Sequence, residues 1–168
     1  RRVAETCDET VHVAILEGTD VIYIAKVDST HAVRMVSAAG RRLPAHCTSV
    51  GKMLLASLTA EELDARLPDG EGATLPALTE NSITSPAELR TALAEIRRRG
   101  VAVEQRESNP DVGCVAAPVR DRSGRVVAAL SISVPMIRWS QERRAELEEL
   151  AVKGAGDLSE RLGYRGQA

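Results

Sequence analysis

VGCVAAPVRDRSGRVVAALSISVP, residues 112 to 135, holds two runs of β-branched and small apolar residues joined by a polar turn. Cys114 to Arg120 and Arg125 to Val134 read as strands, and Asp121-Arg122-Ser123-Gly124 reads as the hairpin between them. A strand that returns at once on its predecessor pairs with it antiparallel. Within the second strand, side-chain alternation puts Ser131 and Ser133 on one face and Leu130, Ile132 and Val134 on the other. Val101 to Arg106 supplies another strand just upstream.

Working outward, Val11 to Glu17 and Val21 to Asp28 are β-branched runs joined at Gly18-Thr19-Asp20, and Val33 to Ser37 reads as a third strand. GRRLPAHCTSVGKMLLA, Gly40 to Ala56, follows as a strand end, a polar turn and the opening of an apolar helix. Thr59 with Glu62 has capping-box spacing and opens a short helix through Arg66. Pro68 to Thr84 is a loop. Ser85-Pro86-Ala87-Glu88 starts a helix with Leu89, Leu93 and Ile96 on one face, closed by Gly100. Ser140 caps a long terminal helix with Leu147, Leu150, Leu158 and Leu162 as its stripe, and Gly163 stops it. Strand runs interleaved with helices in this order predict an α+β fold with an antiparallel sheet, not a repeating βαβ fold.

The 168 residues suit one domain, with 43% hydrophobic and 27% charged residues as in a soluble globular protein. A net charge of −2 and only three aromatic residues, Tyr23, Trp139 and Tyr164, do not fit a nucleic-acid reader. No apolar run reaches the ~20 residues of a membrane span, and no leader-like segment follows Arg1-Arg2, so a cytoplasmic location is expected. Cys7, Cys47 and Cys114 form no zinc-finger spacing and are expected to stay reduced.

The helix start at Cys47-Thr48-Ser49 exposes backbone N–H groups at the positive end of the dipole, a cradle for a carboxylate or phosphate. Ser131 and Ser133 are either ligand donors or partners of nearby backbone. Cys114 reads as a small buried hydrophobe or, less simply, as a nucleophile that would need a thiolate-stabilising neighbour. His12, His31 and His46 show no paired metal spacing, and a site from His46, Cys47 and Glu104 has only weak support. No Gly-rich phosphate loop or nucleophile elbow occurs, so neither a catalytic residue, a metal nor a cofactor is expected.

GRRLPAHCTSVGKMLLA followed by VGCVAAPVRDRSGRVVAALSISVP resembles the C-terminal effector-binding domain of IclR-type bacterial transcription regulators. The resemblance covers about Val11 to Leu162. It implies a GAF-like curved antiparallel sheet of about six strands with helices on both sides. It also implies that residues 1–10 end a linker helix from an N-terminal winged helix-turn-helix domain, and that residues 11–168 are the effector domain.

By the same resemblance the pocket draws on His46, Thr48, Ser49 and Val50, on Glu104, on Cys114, and on Ser131 and Ser133. Met35, Leu43 and Val112 would be its apolar walls. Glu104 stands where the family pattern has aspartate, and Ser49 where it has glycine or alanine. The implied partners are a small organic acid effector, sister subunits in a homodimer or homotetramer, and operator DNA through the N-terminal domain. A carboxylate would dock at the N–H groups around Ser49 and Val50. Burial and a nearby anion both raise the pKa of Glu104, which favours hydroxy-acids, keto-acids or polar aromatic acids over dicarboxylates. The rival readings are a dimerisation module with an unused pocket and an enzyme using Cys114 or Cys47.

Overall fold

The structure, a computed structural model, describes residues 1–35 and 39–166. Among these residues six strands form one sheet: β1 (Thr10–Glu17), β2 (Asp20–Val27), β3 (Arg42–Pro44), β4 (Ala102–Gln105), β5 (Val112–Arg120) and β6 (Val126–Pro135). Their order across the sheet is β3-β2-β1-β6-β5-β4, and every neighbouring pair is antiparallel. The hairpins β1–β2 and β5–β6 are thus joined side by side through β1 and β6, with register Thr10↔Ser133 and His12↔Ser131.

Helices cover both faces, because each face is apolar along most of its length. On the inner face lie α2 (Ser49–Ala56), α3 (Ala60–Asp64) and α4 (Pro86–Arg99). Their Val50, Met53, Leu54, Leu55, Leu63, Leu89, Leu93 and Ile96 pack with Ala14, Ala102, Ala116 and Ala129 of the sheet. The four alanines are small enough for α2 to lie close to the strands. On the outer face, α1 (Arg2–Cys7) and α5 (Gln141–Arg161) cover Val11, Val115, Val119, Leu130, Ile132 and Val134.

The helix boundaries follow their caps. Thr59 and Glu62 form the reciprocal capping box, Ser85 accepts from the Glu88 N–H, and Gly100 closes α4 in the left-handed region at φ 73°. α3 stops at Asp64, two residues before the expected Arg66.

Two expectations are corrected. Val33–Met35 form no strand; the third strand is Arg42–Pro44, paired with Asp20–Ile22. The remainder of the expected Val33–Ser37 run, residues 36 and 37, lies outside the described residues. The backbone of the segment before it is engaged elsewhere: Thr30 N–H donates to Asp8 and the Val33 carbonyl accepts from Arg138, so neither group enters a ladder. The second correction concerns α5. Of its expected stripe Leu147 is buried and Leu150 and Leu158 pack half-buried against the outer core, but Leu162 is 46% exposed, and the fully buried row is Leu147, Ala151, Gly154, Ala155 and Ser159. Small residues are needed there because α5 lies flat over β5, and because Val3 of α1 fills the space where a side chain at position 154 would sit.

Gly51 is fixed by an equally close approach. A Cβ at this position would overlap the Ala45 backbone, in the turn that leads into α2. Helix propensity alone favours alanine over glycine by about 1 kcal/mol. Gly51→Ala is therefore expected to reverse that sign and destabilise by about 1–3 kcal/mol, as overpacking does. Thermal unfolding checks it: a lowered midpoint is expected, and a raised one would contradict the close packing of α2.

Candidate functional site

The register of the strands brings a line of polar side chains onto the inner face at the start of α2. Glu104 on β4 stands opposite Cys114 on β5, Cys114 opposite Ser133 on β6, and Ser133 opposite Thr10 on β1. One step along, Ser131 stands opposite His12. These residues are buried, as are Thr48 and Ser49 at the start of α2.

Together with Tyr23, Met35, Arg41, Leu43 and Ser108, several of them surround a nearly closed cavity of about 10 Å³. A cavity of that size holds about one water molecule. Met35 and Arg41 come from the segment between β2 and β3, and Ser108 from the β4–β5 loop.

The polar groups are connected. Glu104 accepts hydrogen bonds from the Glu107 N–H at 2.9 Å and the Ser108 hydroxyl at 2.7 Å. Cys114 Sγ donates to Ser133 Oγ at 3.2 Å, and Ser133 Oγ lies 3.4 Å from His12 Nδ1. The His12 ring rests at a tilt on Tyr23, with centroids 4.8 Å apart. At the helix start the Thr48 hydroxyl accepts from the Gly51 N–H at 3.0 Å. The Ser49 and Val50 N–H groups belong to the same first turn, which has no intrahelical acceptors of its own.

Burial sets the charge states. Desolvation raises the Glu104 pKa to about 7, against hydrogen bonds from Ser108 and Glu107 that pull it down. Desolvation, with the Lys26 charge adding to it, lowers His12 to about 4, so its ring is neutral at neutral pH. The Tyr23 hydroxyl is pushed up, first by burial and then by Cys114 and Glu104. Burial and the Glu104 charge push the Cys114 thiol well above its ordinary value. The Cys7 and Cys47 thiols are raised too, chiefly by burial. Thiols held in this way are poor nucleophiles, since the thiolate is the reactive form.

Of the residues singled out from sequence, Met35, Leu43, Thr48, Ser49, Glu104, Cys114, Ser131 and Ser133 line the cavity. His46, Val50 and Val112 do not. His46 Nε2 lies 2.7 Å from the Pro76 carbonyl and holds the loop after α3; Val50 packs into the inner core, and Val112 is buried opposite Pro135. Four further lining residues escape the sequence reading: His12, Tyr23, Arg41 and Ser108. Alternation places His12 with Ala14 on one face of β1, but only the pairing of β1 with β6 brings that face to Ser131. Among the described residues, no group of three or more His, Cys, Asp or Glu is placed to hold a metal ion. No helix among them is long and apolar enough to cross a membrane.

More open clefts exist elsewhere. One of about 320 Å³ lies on the outer side, between α1, α5 and strands β1 and β2. Another of about 280 Å³ lies among Arg97, Arg120 and Arg125. In the second, Arg97 and Arg120 are already engaged with main-chain carbonyls. His12 borders the first cleft as well, but neither cleft gathers as many buried donors and acceptors as the small cavity, and convergent polar groups with shifted pKa values are one mark of a ligand site.

Residues 1–160 match the family model for the C-terminal region of bacterial IclR transcriptional regulators. The chain is 37% identical over 164 residues to the HTH-type transcriptional regulator KdgR of Escherichia coli K12, covering 98% of this chain and 61% of that protein. It thus spans about three fifths of the length of such relatives. The crystallised C-terminal domain of E. coli KdgR superposes with a TM-score of 0.85 at 35% identity, covering 98% of this chain and 93% of that one. The regulator RHA06195 of Rhodococcus sp. RHA1 superposes at 0.90 with 35% identity, over 96% of this chain and 65% of that one. A double mutant of the inducer-binding domain of PobR from Acinetobacter, in complex with 3-hydroxybenzoic acid, superposes at 0.82 with 25% identity, over 94% and 91%.

Glu104 gives the site a pH signature. Its folded pKa of about 7 lies above the ordinary 4.5, so the fold favours the protonated acid. That contribution is complete below pH 4.5 and is lost as pH rises through 7. A glutamine amide at this position would keep the acceptor for Glu107 without ionising. Glu104→Gln is therefore expected to be more stable than the parent at pH 8, by about 3 kcal/mol at the upper end, with the gain falling below about 1 kcal/mol at pH 5. Denaturant unfolding at both pH values checks this; a variant less stable at pH 8 would contradict it.

Proposed function

The chain belongs to the IclR family of bacterial transcriptional regulators, as their C-terminal domain, and on that premise we propose that its inner-face cavity is the binding site for a small organic acid effector. The observation that carries this reading is the enclosed line Glu104–Cys114–Ser133–His12 facing the start of α2. A fold does not bury so many polar groups together without cost, and they are of little use to the core.

The effector's carboxylate docks at the first-turn N–H groups of Ser49 and Val50, with Arg41 supplying a charge at the cavity wall. Ser131 and Ser133 offer hydroxyls to it. Glu104, poised near neutrality, exchanges a hydrogen bond with a hydroxyl or carbonyl on the far end of the ligand. A second carboxylate there would be repelled by ionised Glu104 and could be held only with that acid protonated, so hydroxy- and keto-acids and polar aromatic acids fit better than dicarboxylates. The PobR domain's complex with 3-hydroxybenzoic acid, an acid carrying a hydroxyl, is in keeping with this class.

The cavity is too small for such a ligand as it stands, so binding selects a more open arrangement of Met35, Arg41 and their neighbours. A ligand that prefers one arrangement shifts the population toward it, and this is how occupancy reaches DNA affinity. In this reading residues 1–10 lead from an N-terminal helix-turn-helix domain that contacts operator DNA, and the regulator works in the cytoplasm as a homodimer or homotetramer. The raised pKa values of all three thiols weigh against a cysteine-dependent enzyme.

Thermal unfolding with a panel of small monocarboxylates tests the reading. An acid at 100 times its dissociation constant stabilises by about 2.7 kcal/mol, a shift of roughly 5–11 °C for a domain of this size. The shift is expected to vanish in the Ser131→Ala, Ser133→Ala double variant. A folded, oligomeric protein that no acid stabilises would instead support a dimerisation module with an unused cavity.

A further inference from the structure

We propose that Asp8, Glu9 and Arg138 are positioning residues that hold Met35 in the cavity wall and couple that wall to α1. The inference rests on the reading of the cavity as a ligand site, and it identifies where occupancy leaves the domain. Asp8 ends α1 in the left-handed region, at φ 50° and ψ 39°. Aspartate tolerates that conformation at a helix C-cap, where the Asp8 N–H donates to the Ala4 carbonyl, and further contacts of its side chain and carbonyl hold it there.

Those contacts are with the segment after β2. The Asp8 carboxylate accepts from the Thr30 N–H at 2.8 Å and the Thr30 hydroxyl at 2.6 Å, and the Asp8 carbonyl accepts from the Ser29 hydroxyl at 2.7 Å. Next to it, Glu9 is 1% exposed and takes a two-pronged contact from Arg138 Nε and a terminal nitrogen, both at 2.7 Å. The other terminal nitrogen of Arg138 donates to the Val33 carbonyl at 2.9 Å.

Both chain directions out of this clamp lead to the cavity. Met35, which lines it, is two residues beyond Val33. On the other side Thr10 begins β1 opposite Ser133, and His12 follows in the cavity wall. Glu9 cannot part from Arg138 without leaving a buried charge uncompensated. A displacement of Met35 is therefore passed through Val33 and Arg138 to Glu9, and so to the backbone angles of Asp8 that set the direction of α1. By reciprocity, an arrangement of α1 that favours the open cavity favours occupancy to the same extent that occupancy favours it.

The test needs no ligand. Amide hydrogen exchange is followed by NMR in this chain, in Met35→Ala, in Thr30→Val, and in the paired Glu9→Gln, Arg138→Met variant. Met35→Ala is expected to speed exchange of the Asp8 amide, which donates to Ala4, by at least about fivefold, with α4 unchanged. Thr30→Val and the paired variant are expected to speed exchange at the cavity, at the amides of Glu107 and Ser108. If the paired variant does not fold, Thr30→Val carries that direction alone. Effects of Met35→Ala confined to residues 29–35 would overturn the coupling. A failed acid panel beside a fivefold coupling would sink the ligand reading only, and a positive panel without coupling would sink this inference only.

Discussion

Glu104 is buried at 1% exposure on the inner face of the sheet, and its two oxygens are met by a backbone N–H and a hydroxyl, both neutral donors. Satisfying that one carboxyl group organises the loops above it. Glu107 and Ser108 must turn back over β4, which places Arg106 in the left-handed region at φ 63°. The Arg106 and Glu107 carbonyls are then capped by the Thr79 and Ser82 hydroxyls, so the loop after α3 is drawn into the same structure. The Glu107 carboxylate, itself partly exposed, takes the buried Lys52 of α2 at 2.6 Å. Three segments distant in sequence are fixed by the needs of one acid, and each would be disturbed by a ligand that competed for it.

The inner face divides into two halves with different work. Under α2 and α4 it is paved with alanines and holds the core. Beyond them it is polar, and the cavity there stays closed because Met35, Leu43 and Tyr23 shut it from the β2–β3 side. The closing segment is anchored at Asp8 and Glu9, where α1 gives way to the sheet. The cavity's acid is thus governed from one side by α2 and from the other by the segment tied to α1.

Much of this was legible in the chain. The hairpin at Asp121–Gly124, the capping residues Thr59 and Ser85, and the shared face of Ser131 and Ser133 are local features, set by turn chemistry and alternation. The family resemblance supplied Glu104 and Cys114, which spacing alone does not join. What was not legible depends on long-range register. His12 enters the cavity only because β1 lies beside β6, and Val33 is withheld from a strand by Arg138, more than a hundred residues away. The leucine stripe of α5 was legible in part: Leu147 is buried and Leu150 and Leu158 pack against the outer core, but Leu162 is exposed, and the close approach of the sheet and of Val3 fills the rest of the buried row with Ala151, Gly154 and Ala155.

The most direct measurement is an amide chemical-shift map by NMR, recorded with the acid that stabilises the domain most. The largest shifts are expected at Ser49, Val50, Glu107, Ser108 and Ser133, around the closed cavity. Shifts centred instead on the open cleft between α1, α5 and strands β1 and β2 would contradict this, because the buried polar line would then not be where the ligand is held.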